Sequence, residues 1–115
     1  MKIICHKRKH IKAEIIAEDL IFHGADEAVM LVGELYYQGY DVIIWHQNNL
    51  PADFFDLSSG MAGEILQKFS NFRIKLAIVG DFSNLQSKSL EAFIIESNKG
   101  NLVHFVATLE EAFGF

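Results

Sequence analysis

Three apolar runs of strand length punctuate this chain: "DVIIW" (41–45), "RIKLAIVG" (73–80) and "LVHFVA" (102–107). The segments between them place apolar residues at three- and four-residue steps instead. A short continuous apolar run suits a strand covered on both faces, whereas the three-and-four spacing belongs to a helix with one buried stripe. Strict alternation of the two patterns leaves few folds open. It predicts an α/β domain with a mainly parallel sheet, the helices carried on right-handed crossovers.

Ahead of the alternating part, "KIICHK" and "IKAEIIA" are β-prone runs separated by the basic "RKH". They predict an antiparallel hairpin, with "LIFH" (20–23) continuing its second strand. From Asp26, residues Ala28, Leu31, Val32 and Leu35 form one helical stripe, and Gly39 stands at the C-cap. Leu57, Met61, Ile65, Leu66 and Phe69 form the next stripe. Ser87 is placed to cap a third helix with Leu90, Phe93 and Ile94 inside and Gly100 at its end. Thr108 and Glu111 have the spacing of a capping box, so "TLEEAF" reads as a short terminal helix. The expected order is β-β-α-β-α-β-α-β-α. In such sheets function gathers outside the carboxyl ends of the strands, here His46 to Asn49, Gly80 to Ser83, and Ala107 with Thr108.

With 115 residues and no internal repeat or Pro/Gly-rich linker, the chain reads as one domain, 1–115. A single cysteine, Cys5, has no disulfide partner, and no CxxC or HExxH pattern suggests a metal, so a reducing, cytoplasmic address is expected, with no metal or cofactor. The N-terminus lacks the apolar core of a secretory signal, and no stretch is apolar enough to span a bilayer. The formal charge is −5, yet Lys2, Lys7, Arg8, Lys9 and Lys12 place five of the ten basic residues in the first twelve positions. Without interleaved aromatics, that cluster reads as a solvated hairpin tip. No nucleic acid partner is expected.

The stretch "DLSSGMAGEILQKF" (56–69) sets Ser58 and Ser59 between Asp56 and Gly60-Met61, at the start of a helix. Such serines serve as a cap, a nucleophile, an anion cradle or a phosphorylation switch. Free N–H groups and the positive helix end favour an anion there, including a phosphate borne by a serine. The plainer alternative is that one serine caps the helix and the other meets water. A nucleophilic serine needs a base, for which only His46 and His104 are placed, and the G-x-S-x-G elbow is missing. The chain is therefore read as non-enzymatic. A second reading is a small-molecule binding or catalytic domain that uses the carboxyl edge, with His46, Asn48, Asp81 and Thr108 lining a pocket. His6 and His10 lie four apart on strand and turn, where that spacing does not bring side chains together. Edge strands near the hairpin could also pair two copies into a homodimer.

"DLSSGMAGEILQKF" resembles the D-S-S-G-L-G element that opens the second helix of the STAS family, the anti-sigma-factor antagonists and sulfate-transporter domains, and the element order is similar to theirs. The resemblance implies a STAS-like fold and a protein partner, a regulatory kinase or anti-sigma-like protein, that phosphorylates the second serine, Ser59. Leu57 is inserted between the acid and the serines, and Met61-Ala62 replaces the family's leucine and glycine. A longer resemblance runs from Ile15 onward. "FFDLSSGMAGEILQKFSNFRIKLAIVGDFS", "SKSLEAFIIESNKG" and "HFVATLEEA" are similar to the bacterial domain of unknown function 4180, which implies a family without a mechanism.

Overall fold

Residues 1–115 are described by a computed structural model. Strands β1 (Lys2–Arg8) and β2 (His10–Ile16) form the predicted antiparallel hairpin, turning on Lys9 at φ 67°. Strands β3 (Val42–His46), β4 (Lys75–Val79) and β5 (Val103–Val106) follow, each parallel to its predecessor from β2 onward. The sheet order is β1-β2-β3-β4-β5, the order of the sequence, which makes β3 the central strand.

This order has a geometric consequence. When every crossover is right-handed and each new strand is laid beside the last in one direction, all the connecting helices fall on one face. Helices α1 (Ala25–Tyr37), α2 (Ala52–Phe55), α3 (Met61–Phe72) and α4 (Lys88–Lys99) share one core with Ala13, Ile15, Ile43, Trp45, Leu76, Ile78, Val103 and Phe105. The alternate strand residues Val42, Ile44 and Ala77 face the other way, where Ala112 of the short α5 (Leu109–Phe113) and the following Phe115 cover them. Trp45 centres the larger core, fully buried, with the rings of Phe22, Phe54 and Phe69 at 5.3, 6.3 and 5.4 Å.

The predicted caps are in place. Gly39 follows α1 at φ 92°, Ser87 Oγ accepts the Leu90 N–H at 3.2 Å, and Thr108 Oγ1 accepts the Glu111 N–H at 3.1 Å.

Three expectations are corrected. "LIFH" does not continue β2, because the buried Asn49 donates its amide to Ala17 O and Asp19 O, both at 2.9 Å, while its own carbonyl accepts the Ile21 N–H. That segment is pinned as a bend. The stretch ahead of α3 is not a plain loop, since α2 and 3-10 turns at Gln47–Asn49 and Leu57–Ser59 occupy it, with Leu57 before the helix rather than in it. The basic hairpin tip is only partly solvated. Arg8 lies 4.6 Å over the Phe113 ring and 3.6 Å from Glu110, Lys9 Nζ donates to Gly114 O, and Lys12 is fully buried with its Nζ on Arg8 O.

Candidate functional site

The serine turn is built by side chains that close it locally. Asp56 Oδ1 accepts both the Ser58 N–H at 3.1 Å and the Ser58 hydroxyl at 2.6 Å. Ser59 Oγ donates to Asp53 O at 2.7 Å and accepts the Met61 N–H at 3.2 Å, so it joins α2 to the first residue of α3. Between them Gly60 takes φ 81°, the left-handed region a side chain disfavours, and so lets the chain turn from the 3-10 turn into the helix. Ser58, Ser59 and Gly60 are exposed and Met61 is half-buried. Neither serine stands at the N-cap of α3, where one of them was expected; Gly60 does, while Asp56 closes an Asx-type turn over Ser58, and Ser59, one residue ahead of the cap, holds the N–H of Met61.

Two hollows lie on the helical face, the first against this turn and the second further along α3. One of about 500 Å³ lies between Ala52, Phe55, Leu57 and Ser58 on one side and Ser87 and Ser89 on the other. The second, of about 490 Å³, is floored by Leu66, Phe93, Leu102 and Val103 between α3 and α4. The second lies on the side of α3 away from α1, the helix that α3 packs against.

At the carboxyl edge, the structure brings together three of the four predicted pocket residues. His46, Asn48 and Asp81 line one hollow of about 300 Å³ with Gln47, Val79 and Gly80. Thr108 is not among them, because its hydroxyl caps α5 and also contacts Glu111 Oε1 at 3.3 Å. The hollow is shallow for a topological reason: a sheet whose strand order never reverses has no switch-point crevice. Asp81 Oδ1 accepts the N–H and the hydroxyl of Ser83 at 3.1 and 2.6 Å. These bonds hold its carboxyl below the usual range.

Behind His46 stands a group that pattern reading missed. Glu14 is buried, and its carboxylate bridges two rings, Oε1 to His6 Nε2 at 2.8 Å and Oε2 to His46 Nε2 at 2.7 Å. A carboxylate only accepts, so both rings give it their Nε2–H and leave Nδ1 free of this contact. His6 is further fixed by the Phe113 ring at 4.7 Å. The signal was present in "IKAEII", where Lys12 and Glu14 alternate with core residues on a strand that lies inside the sheet. Charges on the second face of such a strand need partners, which β1 supplies through Arg8 O and His6 and β3, 32 positions on, through His46. His104 is no part of the group, since its ring stacks on Phe115 at 3.9 Å and its Nε2 meets Gly100 O.

Lys12, on the same face as Glu14, has its ammonium pushed below the ordinary lysine range by burial, then by Lys9 and Lys75, with Asp41 opposing. No three His, Cys, Asp or Glu side chains converge as metal ligands. No helix is long and apolar enough to cross a membrane.

Among curated proteins, and among solved structures, no significant match is found. A family model, described as a domain of unknown function (DUF4180), matches residues 7–114. That span takes in the hairpin turn, the serine turn and the carboxyl-edge hollow together, and the chain belongs to the domain of unknown function family DUF4180.

Proposed function

We propose that this domain is a STAS-like, non-enzymatic interaction module whose partner protein docks over Asp56 to Gly63, and that phosphorylation of Ser59 gates the docking. The observation that carries the reading is the double role of Ser59. Its exposed hydroxyl is the link between Asp53 O and the Met61 N–H. Esterification removes the O–H donor and adds about −1.5 to −2 charges at the head of α3, beside Asp53, Asp56 and Glu64. The helix N-terminus attracts that charge while the carboxylates repel it, so the turn must rearrange. The hollow against the turn, with Phe55 and Leu57, offers apolar anchorage for a partner, and the hollow with Leu66 and Phe93, which begins at Gly63, extends it along α3.

The test is phosphopeptide and intact-mass analysis of the protein from its native host, with identification of what co-purifies. A phosphate on Ser59 and a kinase-like partner are expected, with Ser59→Asp releasing that partner and Ser59→Ala retaining it. Identical capture by the two variants would sink the switch.

A further inference from the structure

We propose that the hollow at the carboxyl ends of β3 and β4 is a second site, independent of the serine turn, that binds the vicinal diol of a sugar through Asp81, Gln47, Asn48 and His46. Its polar groups are held in place before any ligand arrives. Gln47 Oε1 accepts the Asp81 N–H at 2.9 Å, which leaves its amide N–H groups as the free donors. Asp81 commits Oδ1 to Ser83 and keeps Oδ2 as an acceptor. Glu14 holds His46 by Nε2, so Nδ1 is the ring nitrogen left to face a hydroxyl. Asn48 is exposed at the rim and adds an amide with both capacities.

A set that alternates donors and acceptors suits hydroxyl groups, each of which donates and accepts. With Oδ1 occupied by Ser83, Asp81 Oδ2 takes one hydroxyl of the diol and the neighbouring Gln47, Asn48 and His46 groups take the adjacent one, whereas the carboxylate would repel a phosphate placed against it. Asp81 remains ionised at neutral pH, because Ser83 holds it below the usual carboxyl range. The volume of about 300 Å³ is at the lower end of small-molecule sites and accommodates one sugar ring, not a dinucleotide. The hollow reaches only one side of a ligand, so a dissociation constant of millimolar order is expected. Glu14 is a positioning residue in this arrangement, acting through His46.

The experiment is a two-dimensional NMR titration of the full chain with methyl β-D-ribofuranoside and with adenosine, each against its 2-deoxy counterpart, which lacks the vicinal diol, to roughly 50 mM where solubility allows, a range that saturates a millimolar site. Expected are shifts confined to the amides of Gln47, Asn48, Gly80 and Asp81 with the diol-bearing probes. Shifts with both sugars assign a free sugar ring as sufficient; shifts with adenosine alone assign a nucleoside. Asp81→Asn, at an exposed position that does not threaten folding, should abolish them. Glu14→Gln should move the His46 ring nitrogen resonances and weaken binding by about tenfold. Equal shifts with the deoxy probes, no localised shifts, or full binding by Asp81→Asn would overturn the proposal. None of these outcomes depends on a phosphate at Ser59.

Discussion

Gly80→Ala probes the closest packing at the carboxyl edge. Gly80 does not occupy the left-handed region, so alanine is allowed by the backbone, but a Cβ there would stand 2.6 Å from Gln47 Cβ, with the Gln47 side-chain amide nearer still. The amide end of Gln47 can swing away; its Cβ is fixed to the 3-10 turn and cannot. Overpacking of this kind costs about 1–3 kcal/mol. Displacing Gln47 also releases the Asp81 N–H from Oε1, about 0.5–1.5 kcal/mol, with Asp81 exposed enough for water to take over part of that bond. A loss of about 2–3 kcal/mol is expected. Gln47→Gly alone forfeits the same hydrogen bond and loosens the turn, about 1–2 kcal/mol. In the double variant the clash is gone and the hydrogen bond is lost only once, so the two changes should cost less together than their sum, by about 1–3 kcal/mol. Gln47→Ala keeps the offending Cβ and should rescue Gly80→Ala much less well. Urea unfolding read by the fluorescence of Trp45, the single tryptophan, measures all four proteins. Costs that add to within about 0.5 kcal/mol would refute the close-contact argument.

Gly60→Ala should lower stability by about 1 kcal/mol through its φ of 81° alone, since an added Cβ meets no neighbouring atom; Gly60→Asn should cost less in the same thermal unfolding assay. Trp45 Nε1 is buried without a hydrogen-bond partner, so Trp45→Phe should change stability by only about 1 kcal/mol, the lost contacts being offset by removal of a desolvated donor. Trp45→Ala should cost about 3–5 kcal/mol, both variants being followed by circular dichroism. Lys12 titrates lower in the folded protein than its ordinary 10.5, so between the two values the unfolded chain holds more protons and stability rises with pH. Tyr40, raised above its ordinary 10.0 by burial and then Cys5, works in the opposite sense above that pH, so the comparison belongs below it. Relative to Lys12→Met, the wild-type protein should gain stability from pH 8 to just under 10, and a flat difference would contradict the burial argument.

Much of the architecture was legible because it depends on short-range periodicity. The apolar runs at "DVIIW" and "RIKLAIVG" became β3 and β4, and the caps at Gly39, Ser87 and Thr108 acted within a few residues of their partners. The serine turn was legible for the same reason, since each of its side-chain bonds spans no more than six residues. "LIFH" misled because its β-prone composition is overruled by Asn49, whose contacts to Ala17 and Asp19 cross 32 and 30 positions.

The carboxyl-edge site marks the other limit. Glu14 meets His6 across 8 positions and His46 across 32, and Gln47 meets Asp81 across 34. Such meetings require both the hairpin register and the placement of β3 between β2 and β4. Thr108 was grouped with His46 by topology alone, and its own cap removed it. Local period and capping chemistry, carried by neighbours along the chain, thus determined the elements and their order. Strand neighbours, register and the helix laid over the second face are set by the burial of the whole core, and these alone decided that Glu14 and Lys12 lie inside and that Glu14 holds the His46 ring.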